Sequence, residues 1–319
     1  MASHTLVARP DTVHWGFLDA GLKPVLEIEN GDTVIVHTLS GACEEVPADS
    51  SQIRPELLAI HEKLVPFPGP HILLGPIYVR GARPGDMLKV DILDIDLRDS
   101  WGFNTMRPGK GALPKEFNIH SVQHFEIDRI AKTIKSPWGS KIAARPFFGI
   151  IAVAPKIADG KISSILPGYY GGNLDIKDLV TGSSLYLPVN IEGGLVSVGD
   201  GHASQGDGEV CLTAVETALV GHLRFSIIRK AADTFPYGET ASHLIAIGLD
   251  EDLDEAIRQA LQRAIGMICL RTELTPAQAY TLCSIAADVR ISQLVNIRKG
   301  VHVMIPKEAL PVSNGKGRY

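Results

Sequence analysis

Leu88-Lys89-Val90-Asp91-Ile92-Leu93-Asp94-Ile95-Asp96 alternates apolar and polar residues with a period of almost strictly two. That period presents one face of a strand to a core and the other to water. The pattern extends over 87–97 and is preceded by a second β-like run, 75–80, across Gly81-Ala82-Arg83-Pro84-Gly85-Asp86. Pro and Gly at such positions punctuate a tight turn. Runs 24–29 and 33–39 flank Asn30-Gly31-Asp32 in the same way, so each pair predicts a hairpin. Between the pairs, 51–63 carries Ile53, Leu57, Leu58 and Ile60 at helical spacing.

Farther on, 99–145 is rich in Gly, Pro and aromatics and predicts loops over a site, with strand pieces near 120–127. Runs 147–155, 184–188, 194–198 and 223–229 predict strands, and 209–219 fits a helix or a strand, with Glu209, Thr213 and Glu216 on one helical face. The character then changes. Over 252–269, Leu253, Ala256, Ile257, Ala260, Leu261, Ala264, Ile265 and Ile268 recur at three and four, an amphipathic helix. Thr275 as N-cap and Pro276 at the first helical position open a second helix to 287. Strands over 288–300 and 301–305 close the chain, giving an α+β fold that is mostly β.

With 319 residues, 45% hydrophobic and 21% charged, the chain has an ordinary globular composition. A net charge of −5 with scattered Lys and Arg gives no footprint for nucleic acid or an anionic membrane, and the one basic cluster, 316–318, reads as a loose tail. Cys43, Cys211, Cys269 and Cys283 show no CxxC spacing, which suits a reducing compartment and buried apolar thiols. The first ten residues lack an apolar signal core, and no run approaches the ~18 apolar residues of a membrane span. A soluble cytoplasmic protein is expected.

Val198-Gly199-Asp200-Gly201-His202-Ala203-Ser204-Gln205-Gly206-Asp207-Gly208-Glu209-Val210 sets one imidazole among three carboxylates and four glycines. Glycine at this density lets a short loop turn sharply and aim polar groups inward, as an active site requires. A solvated acidic turn is the alternative.

Pro167-Gly168-Tyr169-Tyr170-Gly171-Gly172-Asn173-Leu174-Asp175, then Leu185-Tyr186-Leu187-Pro188-Val189 and the loop from Gly199 to Glu209, together resemble the acetamidase/formamidase family. Gly75-Pro76-Ile77-Tyr78-Val79, the turn from Gly81 to Asp86, Asp288-Val289-Arg290-Ile291-Ser292-Gln293 and Val301-His302-Val303-Met304-Ile305-Pro306-Lys307 extend the likeness over nearly the whole chain. The resemblance implies hydrolysis of a short linear amide to a carboxylate and ammonia. It also implies a homo-oligomer with a β-sandwich-like N-terminal part, a small β-barrel and an α+β portion. The expected division is 1–145, sandwich-like with loops over the site; 146–230, a glycine-rich β part with the catalytic loops; and 231–319, the α+β part.

Amide hydrolysis needs an activated nucleophile, a stabilised oxyanion and a proton for the departing amine. Water activated by a divalent metal, zinc favoured, is the first choice: Asp175, Asp200 and His202 are plausible ligands, with His71 as a further one. Glu209 or Glu216 serves as general base, and Asp200 is counted with them among the catalytic carboxylates. Asn173 and the backbone N–H groups of Gly171 and Gly172 are candidate substrate donors. A Cys211 nucleophile, with Lys177 as the nearest lysine in sequence, is the second choice. Ser183-Ser184 lacks a G-x-S-x-G elbow and reads as a turn.

His37 reads as a paired core residue, and His120, His124, His222, His243 and His302 as structural or surface. Glu44, Glu45 and Asp49 read as a solvated acidic loop, and Asp96 with Asp99 as a solvated face. Trp101 and Phe103 read as core packing, with a pocket wall as the alternative. The competing functions are a non-catalytic binding protein for amide or urea-type compounds and a structural scaffold; ammonia release separates the enzyme from both.

Overall fold

The alternation at 88–96 builds strand Met87–Leu97, with Leu88, Val90, Ile92, Ile95 and Leu97 buried and Leu93 exposed. Its one break is a β-bulge: Ile92 pairs with Leu223 and Asp94 with His222, which leaves Leu93 as the extra residue. The computed structural model describes residues 1–231 and 233–311, so the basic cluster at 316–318 lies outside the described residues. The strand lies fourth in a nine-stranded sheet ordered Ser3–Val7, Thr33–His37, Leu219–Ile228, Met87–Leu97, Ser184–Pro188, Tyr237–Glu239, His243–Asp250, Lys299–Pro306 and Asp288–Gln293.

A second sheet of eleven strands runs Lys141–Ala143, Thr133–Lys135, Ser121–Asp128, Trp101–Met106, Val215–Glu216, Val196–Ser204, Phe147–Ala152 and Gly171–Asn173. Strand Ile72–Val79 branches from Val196–Ser204 and carries Val13–Trp15 and Leu26–Ile28. A small ribbon joins Phe17–Leu18 to Ile162–Ser163. Both large sheets draw strands from more than one of the segments 1–145, 146–230 and 231–319. They share one apolar cluster that includes Val90 and Phe225 of the first and Phe148 and Val198 of the second. Packing there is close enough that a Cβ on Gly221 would strike the Phe148 ring.

The two expected hairpins are not hairpins. Their turns form as read, with Asp32 N–H donating to Glu29 O at 3.1 Å and Asp86 N–H to Arg83 O at 2.9 Å. Yet Leu26–Ile28 joins the second sheet parallel to Ile72–Val79, while Thr33–His37 joins the first. Ile72–Val79 and Met87–Leu97 divide the same way. Turn chemistry sets where the chain reverses; which edge each strand then finds is decided by long-range packing. The segment expected as loops with strand pieces near 120–127, 99–145, is a meander of four strands at one end of the second sheet, with Ser121–Asp128 at the expected place. Residues 209–219 form neither a helix nor a long strand but turns leading into Val215–Glu216.

Helix Pro55–Lys63 buries Leu57 and Ile60. Helix Leu253–Arg271 is capped by the Asp252 carboxylate on Glu255 N–H, and helix Pro276–Ala286 by a Thr275–Gln278 capping box. The first of these presents Ala256, Ala260 and Ala264 to strand His243–Asp250, forming a second apolar cluster with Val301, Val303 and Ile305. Its backbone lies so near that a Cβ on Gly248 would collide with Ala256 O. Among the described residues no helix is long and apolar enough to cross a membrane.

Candidate active site

The stretch expected as a loop from Gly199 continues as strand to Ser204, in the middle of the second sheet. Asp200 sits within it at φ +58, and Asp175 (φ +50) and Glu209 (φ +46) share this left-handed conformation. Such backbone costs a non-glycine residue roughly 1–3 kcal/mol and persists where surrounding structure enforces it, commonly at functional sites. Register places Phe148 opposite Gly201 and Ile150 opposite Gly199, so Gly149 faces Asp200. A Cβ on Gly149 would collide with Asp200 Oδ2 and Asp175 Oδ1 and stand 3.0 Å from His202 Cε1. The missing side chain is the space in which these groups meet.

His202 pairs across the sheet with Phe147 on one side and Glu216 on the other. It is 1% exposed, with the Phe147 ring edge-on at 4.9 Å between centroids. Gln205 fixes its tautomer: the amide nitrogen of Gln205 donates to Asp175 O and Ser292 O, both at 3.0 Å, so its oxygen faces His202 Nδ1 at 2.9 Å. Nδ1 therefore carries the proton. Nε2 is turned to four carboxylates: Glu216 Oε1 at 3.2 Å, Asp200 Oδ2 at 3.3 Å, Asp175 Oδ1 at 3.9 Å and Glu209 Oε1 at 4.0 Å. Among the described residues it has no aligned hydrogen-bond partner, although it is buried.

Asn173, with its amide nitrogen toward the carboxylates, donates to Asp200 Oδ2 at 2.9 Å and Asp175 Oδ2 at 3.3 Å and accepts from Asn296 Nδ2 at 2.9 Å. His71 approaches from the other side: Nε2 lies 3.8 Å from Asp200 Oδ1 while Nδ1 bonds Ser164 Oγ at 2.8 Å.

Burial, then the charge of Asp200, pushes the Asp175 carboxyl up to about 7. Burial raises Glu216 to about 8, opposed by His202. Glu209 is also raised well above its ordinary value, first by burial and then by Asp175. Burial disfavours a charged His202, but Glu216 and Asp200 outweigh it and hold its pKa well above the usual range. Asp200 is lowered: burial opposes its charge, and His202 and His71 overcome that opposition. Without a cation, the cluster retains protons it would otherwise lose.

The residues fit a divalent ion. Asp175, Asp200 and His202 form one group whose ligand atoms lie within 4.8 Å of one another, and His202, Glu209 and Glu216 form a second. Donors held ~2.0–2.2 Å from a tetrahedral zinc stand ~3.3–3.6 Å apart, and the Asp200 and Glu216 oxygens nearest Nε2 are close to that spacing. A protonated Nδ1 leaves Nε2 as the ligating atom, and a 2+ charge offsets the carboxylate excess.

Beside the cluster is a cavity of about 70 Å³ lined on its polar side by His71, Asn173, Asp200, Glu209, Glu216 and Asn296. Pro70, Ile72, Phe103 and Leu212 form its apolar side, Glu45 is also among the lining residues, and no lysine or arginine is among those described. A larger open hollow near Tyr78 and Glu192 contains none of these groups.

Some sequence expectations require correction. Gly171 N–H donates to Gly168 O, and Gly172 pairs in the ladder with Ile151; neither lines the cavity. Cys211 is half-buried against Asn104 and also lies off the cavity, while Lys177 is paired with Asp207 at 3.0 Å. Of the four thiols only Cys283 is buried, and Cys43 is exposed. Ser184 Oγ donates to Asp91 and Ser183 Oγ to Val180 O, with no histidine bonded to either. Glu45 is buried rather than solvated: it accepts from Arg107 at 2.9 Å and lines the cavity. Asp99 is likewise buried and paired with Arg54.

Sequence reasoning passed over Gly149, Gln205 and Asn296. Gln205 carried a signal, lying inside the glycine-rich stretch one turn from His202; Asn296 and Gly149 sit in segments without any motif.

The sequence model of the Acetamidase/Formamidase family matches residues 14–159 and 156–311. A formamidase of Methylophilus methylotrophus is 32% identical over 217 residues, covering 52% of this chain and 53% of that protein. The chain thus spans about half the length of that curated relative. The crystal structure of an acetamidase from Bacillus halodurans superposes with a TM-score of 0.83 at 31% identity, over 97% of this chain and 100% of the other. That of a predicted acetamidase/formamidase from Thermoanaerobacter tengcongensis gives 0.85 at 27% identity, over 97% and 98%.

Proposed function

The chain belongs to the acetamidase/formamidase family, and from that premise we propose that it hydrolyses the C–N bond of short linear amides of the formamide and acetamide class, releasing carboxylate and ammonia. The observation that carries this reading is the convergence of four carboxylates on the unpartnered Nε2 of buried His202. Asp175, Asp200 and His202, with His71 alongside, would hold a divalent ion, zinc favoured, which when bound supplies Lewis-acid polarisation of the carbonyl and lowers the pKa of water.

The chain's own residues supply the proton transfers and the alignment. Glu209 and Glu216 line the cavity, and burial raises both pKa values, that of Glu216 to about 8. In its ionised form, a carboxylate so placed takes a proton from the attacking water as the C–O bond forms. It returns that proton to the nitrogen as the C–N bond breaks. Asn173 and Asn296 hold the Asp175 and Asp200 carboxylates in line, and Gln205 holds His202. Four free cysteines support a reducing, cytoplasmic setting, and the family resemblance supports a homo-oligomer.

Ammonia release from a panel of short amides, with and without chelator, tests the reading. Turnover of formamide or acetamide that falls on chelation and disappears in Asp200→Asn is expected. Folded protein that liberates no ammonia from any of them contradicts it.

A further inference from the structure

The apolar half of the cavity has the form of a stop for the acyl chain. His202 pairs with Glu216, and Glu216 pairs with Phe103 on the next strand. Side chains paired across a sheet share a face, so the Phe103 ring stands beside the Glu216 carboxylate, and it lines the cavity. The ring is held from behind. Trp101 stacks on it with centroids 6.2 Å apart, and the indole N–H is bonded to Gln52 O at 3.1 Å. On another side Gly41, at φ +106, approaches so closely that a Cβ there would lie 3.2 Å from the ring. Phe103, 3% exposed, has no room to retreat.

The remaining space is about 70 Å³, and one water needs ~10–15 Å³ of such space. That is room for roughly five water-sized groups, enough for formamide or acetamide together with an attacking water. We propose that Phe103 sets the limit on acyl length, confining the site to amides with at most one carbon beyond the carbonyl. The inference rests on the amidase reading above and adds the residue that defines its substrate range.

The test compares wild type, Phe103→Ala and Phe103→Leu on formamide, acetamide, propionamide and butyramide. Two readouts are taken: kcat/KM from ammonia release, and the rise in unfolding temperature each amide produces, which reports occupancy without turnover. A methylene in an apolar pocket is worth about 10–200-fold in discrimination. The butyramide-to-acetamide ratio of kcat/KM is therefore expected to rise at least about 10-fold in Phe103→Ala. Butyramide should protect Phe103→Ala against unfolding and leave wild type unprotected. An unchanged ratio in a folded variant, or an equal fall on all four amides, overturns the proposal. Phe103→Leu gives the same reading with a smaller shift should the alanine variant fail to fold. Wild type with no turnover on any amide removes the amidase reading, and the protection series still decides the length limit.

Discussion

Two histidines of this chain are almost wholly buried and are partnered in opposite ways. His302, 0% exposed, accepts from Ser292 Oγ at 2.7 Å and donates to Asp178 Oδ2 at 3.3 Å. Asp178 also takes the Arg290 guanidinium at 3.2 Å, so the charge is matched and both ring nitrogens are used. His202 satisfies one nitrogen through Gln205 and turns the other, unbonded, to four carboxylates. The first arrangement is complete as it stands and holds two strands together. The second carries surplus negative charge around an unbonded nitrogen, a local cost that a cation would relieve. The surroundings of the imidazole, not its burial, separate architecture from chemistry.

The largest effect should divide the two sites. His202→Ala is expected to lower kcat/KM for a short amide on the order of 10²–10⁴-fold, the scale of losing a group at the reacting centre. His302→Ala, assayed at a temperature where it is folded, should stay within a few-fold of wild type. Equal losses in the two variants would erase the distinction.

Stability should fall in both variants, for different reasons. His302→Ala leaves Ser292 and Asp178 without their partner and is expected to cost about 1–3 kcal/mol in denaturant unfolding. In chelator-treated protein, His202→Ala is expected to cost at least as much, because it removes the imidazole whose charge offsets Asp200 and Glu216 among four buried carboxylates.

A pH series sharpens the contrast further. Asp175 and Glu216 have folded pKa values of about 7 and about 8, raised from their unfolded values. Groups raised in the folded state contribute stability below the unfolded pKa and lose it as pH climbs through the folded one. Chelator-treated protein should therefore melt at progressively lower temperature between about pH 5 and pH 8, and an added divalent ion should flatten that fall. A melting temperature that rises over this range without metal would contradict the assignment. The smallest effect expected is at Cys211→Ala, whose kcat/KM should remain within about two-fold, since its thiol rests against Asn104 outside the cavity.

The parts of the fold legible in sequence were those encoded locally. The period of two at 88–96 marked its strand, Thr275 with Pro276 marked a helix start, and apolar residues at three and four over 252–269 marked the helix before it. The pairing of strands was not legible. Asn30-Gly31-Asp32 specifies a reversal but says nothing of the partner, and its flanking strands entered different sheets. Of the meander between 101 and 143 only the strand near 120–127 was legible; the others were hidden because their alternation is short and broken by Gly and Pro.

In the site, Asp200, His202 and Glu209 declared themselves through the glycines between them, and Asp175 through the Gly-Gly-Asn that precedes it. Gly149 matters for what it lacks, which no residue pattern announces. Asn296 reaches Asp175 across 121 positions of chain. Glu45 looked solvated because its neighbours in sequence are polar, while Arg107 and Thr105 that bury it come from a distant strand.

The central claim is that the carboxylates around His202 Nε2 form a cation site on which amide turnover depends. The most direct measurement strips the protein with chelator and follows ammonia release from acetamide and bound metal together as zinc is returned. The account predicts near-zero turnover at the start and recovery in proportion to ion bound in wild type and His302→Ala, with none in His202→Ala. Full turnover by metal-free protein, or recovery unaffected by the loss of His202, would contradict it.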